Sequence, residues 1–474
     1  MATLGKGSQS SIGFGTETTP GVAVAPTVYP PVKSESLQYQ RTMVPSGSLT
    51  NSSQVSNVSL GIAKIAGGIT AEVGGALDGQ MMFYWNGSAN GGYTPTSFTA
   101  LGFNTTSPTA TVAAGGTLAV GTYRYKVAAV FSRGFGGSYD LDRYTVAVST
   151  ATNPTTSSGN QTVNLSWTNP TAAPISCTFI GTAIFRSAAG GAANTERFLA
   201  FVSGAGTTYS DTGSVSTGAT AMSTNIASTA VLYEHKFLPT NSPSGQDRLK
   251  TFSLHMNKDT PSAERYSGCM MNEISFTAGG EDNIVEMSCS LMGRGLTLVS
   301  PTSPTVQNSA PILGWAAAGF IDEMDAPATC LWMNSFNIQC TNNVTEDKGT
   351  CMAPEIRGLA SGVRNITGSF TRAYENHNML QKLLLAQAFS IQFMMDGESV
   401  TPLNAWFDRG SNQIVTPWHN TVIIDLFECR AGTASGPING QEQIVETVNF
   451  QAYKNSTYNA DMRVRYYNAI SSYA

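Results

Sequence analysis

The sequence predicts a mainly β protein: two tandem β folds, each a sandwich or barrel with one short helix, and a separate β-sandwich inserted into the first. Three observations predict it. The 474 residues carry 12% charged and 41% hydrophobic side chains, about half the usual ~25% charged share, and Gly, Ser, Thr and Asn take up the difference. That is the composition of a turn-rich β protein, and a low charge suits a surface partly consumed by assembly contacts. The middle of the chain differs in texture from its flanks, and the flanks, joined across it, repeat.

Residues 99–226 are Ala-, Gly- and Thr-rich and break into short alternating runs between turn residues. Gly121 to Phe131, GTYRYKVAAVF, puts Tyr123, Tyr125, Val127 and Ala129 on one face; Gln161 to Pro170, QTVNLSWTNP, does so with Val163, Leu165 and Trp167. A Trp packed against aromatic-rich strands fills the core of a two-sheet sandwich of about 100 residues. The block resembles a fibronectin type III domain of immunoglobulin-like type. Its NLSWTNP strand, early in that family, here follows the YRYKVAAV strand, so it resembles the circularly permuted version found in phage structural proteins.

Outside this block, IAGGITAE (Ile65 to Glu72) aligns with ITGSFTRA (Ile366 to Ala373), 301 residues apart, and DNIVEMSCSLMGR (Asp282 to Arg294) with EQIVETVNFQAYK (Glu442 to Lys454), 160 apart. An insertion of about the length of the sandwich block accounts for the difference between the offsets. SESLQYQ pairs with MNSFNIQ and TFSLHMNKD with TVIIDLFEC in the same order, which reads as a duplication. Each copy reads as strand, strand, short helix, strand, strand. HNMLQKLLLAQAF (His377 to Phe389) places Leu380, Leu383, Leu384 and Ala388 on one apolar face, and GGALDGQMMFYW (Gly74 to Trp85) takes the same slot with Leu77, Met81 and Met82. One short helix cannot cover both faces and the edges of such a sheet.

The opening GFGTETTPGVAVAPTVYPPVKSESL (Gly13 to Leu37), followed by VSLGIAKIAGGITAEV, resembles the tail tube (major tail) proteins of long-tailed bacteriophages. The order Phe-Gly, Glu, Thr-Pro-Gly, Pro and Ser-Glu-Ser-Leu carries the resemblance. It implies a virion protein, made in the host cytoplasm, whose β-barrel folds with an outer helix stack as rings around a DNA-conducting channel. It also implies a tape-measure protein, a tail terminator and baseplate proteins as partners. A family ring holds six tube folds, so two folds per chain imply three chains. The expected division is an extended arm, 1–32; tube fold one, 33–98 plus 227–305; the insert, 99–226, projecting outward; and tube fold two, 306–474. Within the arm, Phe14, Val22, Val24, Val28 and Tyr29 are expected to bury against a neighbouring subunit. Glu286 and Glu446, at matching places in the two IVE strands, are candidate channel-lining acids, since an acidic or neutral lumen repels phosphate.

The net charge of −5 speaks against a protein that grips nucleic acid. The N-terminus has no signal pattern, no apolar run approaches the ~20 residues of a membrane span, and seven scattered cysteines fit a reducing compartment. No nucleophile elbow or phosphate loop occurs. His235, His255, His377 and His419 share no ligand spacing, Cys330, Cys340 and Cys351 lack a C-x-x-C pair, and Asp322–Glu323 and Glu281–Asp282 sit beside turn residues. Neither an enzyme nor a cofactor is expected. The alternative is a baseplate or fibre protein whose sandwich contacts host glycans through Phe131, Phe135, Tyr139 and Tyr144.

Overall fold

A computed structural model describes residues 6–47, 54–55, 57–86, 92–98, 100–103, 107–133, 143–146, 148–174, 177–217, 232–239, 249–280, 282–302, 304, 309–323, 330–348, 355–400, 406–408, 413–438 and 440–474. Among them, β strands dominate and two short helices occur. No described helix is long and apolar enough to cross a membrane.

Seven strands and a helix build the first half: β1 (Ser11–Thr16), β2 (Gln38–Pro45), β3 (Val58–Glu72), α1 (Gly79–Asn86), β4 (Phe252–Asn257), β5 (Ala263–Gly279), β6 (Glu286–Gly293) and β7 (Gly295–Val299). The second half follows the same order: β8 (Ala317–Ile321), β9 (Met333–Thr341), β10 (Asn365–Ala373), α2 (Asn378–Leu384), β11 (Phe389–Ser399), β12 (His419–Ser435), β13 (Val445–Ala452) and β14 (Met462–Asn468). In the first half β1 pairs with β4, β4 with β5, β5 with β6 and β7, β6 with β3, and β3 with β2. Each pairing recurs seven labels on. Even the irregularities recur: a bulge between Phe252 and Leu254 answers one between Phe389 and Ile391, and a bulge after Met271 answers one after Ala431.

The registers correct three of the sequence alignments. Ile65 and Ile366 occupy equivalent places as expected, but β6 and β13 match 159 residues apart, since Gly293 faces Ile65 as Ala452 faces Ile366. SESLQYQ shifts by two, with Tyr39 standing where Cys340 stands rather than where Ile338 does. TFSLHMN matches FSIQFMM of β11, not TVIIDLFEC, and the two share Phe-Ser. Short alternating strands slide past one another at little cost in similarity, so pairing partners settle what periodicity leaves open.

The long strands bend the halves into one continuous sheet in the order β2-β3-β6-β5-β9-β10-β13-β12, in which β5 and β9 join the halves. Both helices pack on the same face, over one core holding Ile65, Ile69, Met81, Phe83, Ile274, Phe276, Leu291, Phe336, Ile338, Phe370, Met379, Val448 and Phe450. On the other face of these strands each half places a polar pair at the same register position: Arg265 opposite His255, and Asp425 opposite Gln392.

The two helices differ in cover. Every side chain of α1 is buried, whereas in α2 only Met379 is. Leu380, Leu383 and Ala388 are half-buried and Leu384 is 75% exposed, so the apolar face expected of this helix is only partly covered. It ends early because Ala386 turns left-handed (φ 49°), letting Gln387 N donate to Lys382 O and Ala386 N to Leu383 O, a Schellman cap without the usual glycine.

Within the first half, between α1 and β4 in sequence, Thr109–Ala113, Thr162–Ser166 and Thr208–Asp211 form one small sheet and Tyr125–Ser132, Thr178–Arg186 and Arg197–Ser203 another. They enclose Tyr123, Tyr125, Val127, Val163, Leu165 and Trp167, as the alternation predicts, together with Ile184, whereas Ala129 packs with Phe131 and Tyr144. The second sheet continues through Arg143–Thr145 into Gln413–Pro417 and Trp406–Asp408 of the second half. In the docking core Phe98, Phe131 and Tyr144 meet Phe320, Met394, Trp418 and Tyr467 of that half. Arg133 crosses it to Asp396, stacked over Tyr144 (4.5 Å) and Trp418 (5.1 Å). The block thus leaves the first half and seats on the second. Phe131 and Tyr144 are core residues here rather than an exposed glycan-binding cluster, and Phe135 and Tyr139 lie outside the described residues.

Candidate functional site: a polar sheet face and its open edges

The face of the eight-stranded sheet opposite the helices is built by the alternate residues of each strand. Registers string them into rows across the molecule. One row runs Glu72, Glu286, Thr277, Asn337, Ser369, Asn449, Thr433, and the next Thr70, Ser288, Ser275, Gln339, Thr367, Gln451, Arg430. A shallow trough runs along Asn337, Gln339, Thr367, Ser369, Thr433, Asn449 and Gln451.

These side chains satisfy one another across strands. Asn449 Nδ2 donates to Thr433 Oγ1 (2.6 Å), Gln451 Nε2 to Asn365 Oδ1 (2.7 Å) and Asn337 Nδ2 to Thr277 Oγ1 (3.3 Å), while the hydroxyls of Ser335 and Thr371 lie 2.6 Å apart. Of the charges in the two rows, Glu286 is paired with Lys33, and Arg430 lies over the Tyr453 ring (5.5 Å) with its Nε donating to Tyr453 Oη. Among the described residues of the two rows, hydroxyls and amides outnumber the charges, which are Glu72, Glu286 and Arg430.

Of the two candidate acids, Glu286 lies on this face. Glu446 does not: it is 1% exposed on the core face, where Arg372 Nε donates to its Oε2 (2.7 Å). The 159-residue offset makes Glu286 equivalent to Val445, and a one-residue slip reverses which face a strand residue occupies.

The arm is likewise held by its own chain. Phe14 lies within β1, fully buried against Tyr84 and Phe252. The following segment folds back along it: Phe14 N donates to Val28 O and Thr27 N to Phe14 O, both at 2.8 Å, and Val24 N donates to Ser253 Oγ (3.0 Å). Tyr29 and Val28 are half-buried, with Tyr29 Oη 2.7 Å from Thr302 Oγ1, and Val22 stays exposed. Sequence reading passed over the staple, Glu17. Its buried carboxylate accepts from Ser253 Oγ and Gly268 N on one oxygen and Gly21 N on the other, all at 2.8 Å. A single acid in a charge-poor stretch was the available signal.

The histidines stay apart. His235 lies between Tyr93 Oη (2.9 Å) and Asn468 Oδ1 (3.0 Å), His255 beside Arg265, His377 against Tyr374 and His419 on Gly397 O. Among the described residues no three His, Cys, Asp or Glu side chains gather as a metal set. Burial pushes the thiols of Cys269, Cys289, Cys340 and Cys429 well up. Cys330 is half-buried, and Cys351 and Glu281 lie outside the described residues.

Two buried groups give a pH test. Burial lowers His235 to about 4, and burial raises Asp78 to about 6 against the hydrogen bond from Ala76 N. As pH falls from 6.5 to 4 the unfolded chain protonates the imidazole first, and stability drops. As it falls from 6 toward 3.8 the folded chain protonates Asp78 first, and stability rises. Each effect reaches about 3 kcal/mol and the two oppose. Relative to the parent, Asp78→Asn should therefore lose about 3 kcal/mol between pH 6.5 and 4, read from urea unfolding at each pH. Parallel pH profiles for parent and variant would refute the assignment.

No curated protein matches the chain. A family model described as phage tail tube protein matches residues 217–452, which span β4 to β13 and so most of the polar sheet. That match supports a structural role in the virion, as a protein of the phage tail tube.

Proposed function

We propose that three copies of this chain close a ring in which six tube folds surround one channel, that the rings stack into the tail tube, and that phage DNA passes along the polar face. The observation that carries this reading is the repeat: one chain supplies eight strands of a single sheet, four from each half, with the helices on the outside.

Strand arithmetic favours three. At ~4.8 Å between strands and ~40° of tilt, twenty-four strands close at a backbone diameter of about 48 Å, and inward side chains leave about 36 Å. Sixteen strands, from two chains, would leave about 20 Å, no wider than the duplex with its water removed. The hydroxyl and amide lining suits a channel that DNA slides through. The tape-measure protein would fill the same channel before DNA does, and terminator and baseplate proteins would cap its ends. The 99–226 block, of fibronectin type III resemblance, would stand on the outer wall, since it seats beside the helix-bearing layer.

Negative-stain electron microscopy of the purified, concentrated protein tests this. Stacked rings with three-fold symmetry and outer projections are expected. Rings of six chains would overturn the stoichiometry, and a closed particle without an axial channel would overturn the function.

A further inference from the structure

The joint inside the chain is complete, and the same joint is half-built at either end. Inside, β9 lies antiparallel against β5 with Glu273 facing Thr341, Ile274 facing Cys340 and Ser275 facing Gln339. By the repeat, Thr433, Ala434 and Ser435 of β12 stand where Glu273, Ile274 and Ser275 stand, because Ser435 faces Thr447 as Ser275 faces Ser288. Gln38, Tyr39 and Gln40 of β2 stand where Gln339, Cys340 and Thr341 stand. Among the described residues, β2 pairs only with β3, and the stretch of β12 from Arg430 to Ser435 only with β13.

We propose that the free edge of β12 receives β2 of a second copy of this chain, antiparallel, with Thr433 facing Gln40, Ala434 facing Tyr39 and Ser435 facing Gln38. The inference rests on the ring reading above and adds its contact and register.

Three observations support that occupant. Face parity agrees: Ala434 and Tyr39 both lie on the core side, opposite Val448 and Ile65, while Thr433 and Gln40 lie on the polar side. Volumes also agree. The internal joint sets a large Ile274 against a small Cys340, and the proposed one sets a small Ala434 against a large Tyr39, which keeps the filled space similar. Exposure agrees as well. Trp85 at the end of α1 is sealed by β9 and its extension, donating to Cys340 O (3.2 Å) beneath Arg364 (5.0 Å), whereas at the end of α2 Leu384 and Leu385 are 75% exposed and Tyr39 is 39% exposed at its own edge. The two edges differ from one another, so each chain offers one and accepts the other. Such a head-to-tail contact closes a ring when the rotation permits.

Disulfide trapping in the full-length protein tests the register. Tyr39→Cys combined with Ala434→Cys should give reducible multimers on mild oxidation, at least tenfold above Tyr39→Cys with Thr433→Cys, which puts the thiols on opposite faces; the largest discrete species should hold three chains. Mixing the two single variants should give dimers only, and neither alone should link. These sites lie at exposed or half-exposed edges, and each variant is first checked for parental circular dichroism. Tubes by microscopy without the expected links would overturn the register and leave the tube reading standing. Folded monomers that form neither tubes nor links would overturn both.

Discussion

Asp425→Ala should cost the second half of the molecule 3–5 kcal/mol or more, the range for a broken buried ion pair. The carboxylate is fully buried between β11 and β14 and accepts from Gln392 Nε2 (2.6 Å), Arg463 Nε (2.7 Å) and Arg465 Nη2 (2.7 Å). Alanine removes a charge that both guanidiniums contact and takes the carboxylate from beside Arg465, a cation itself only 1% exposed. Urea unfolding followed by far-UV circular dichroism reads the loss as a lower midpoint. A shift equivalent to less than about 1 kcal/mol would mean that the cluster is hydrated or repacked.

Trp85→Ala should be nearly as costly, at about 3–5 kcal/mol, and its damage should fall on the joint between halves. The indole is fully buried, donates to a carbonyl of β9 and lies under Arg364; one residue on, Asn342 reaches back to Trp85 O (3.1 Å) and Met271 O (3.3 Å). Both halves meet in these few atoms. Amide exchange should therefore speed up in β5 and β9 before it does in β12 or β13. Trp332→Ala, at a site 68% exposed, is the control and should move stability by no more than about 0.5 kcal/mol. Uniform exchange across the sheet in Trp85→Ala would show that the joint has no stability of its own.

Much of this architecture was legible in the chain. Alternation placed Tyr125, Val127, Val163, Leu165 and Trp167 in one core, and the Ile65–Ile366 match located the repeat. What stayed hidden depended on partners distant in sequence. The identical IVE triplets suggested an alignment one residue out, which is enough to put Glu446 on the wrong face. The arm read alone calls for a neighbour because its cover, Ser253 and Gly268, lies more than two hundred residues away. Leu384 fits an apolar helix face by spacing, yet what fills the space beside it is not fixed by that spacing. The polar face is the hardest to read, since Ser, Thr, Asn and Gln at alternate positions describe any wetted sheet.

The seating of the 99–226 block has a mechanical consequence. It departs from one half and anchors on the other through Arg133, Trp418 and the shared strands, so it bridges the internal joint as a splint does a fracture. In a three-chain ring, joints splinted in this way would alternate with joints held by strand pairing alone. Hoop stress, such as the outward pressure of transiting DNA, would then open the wall at three seams rather than six, and thickening the splint would not strengthen them.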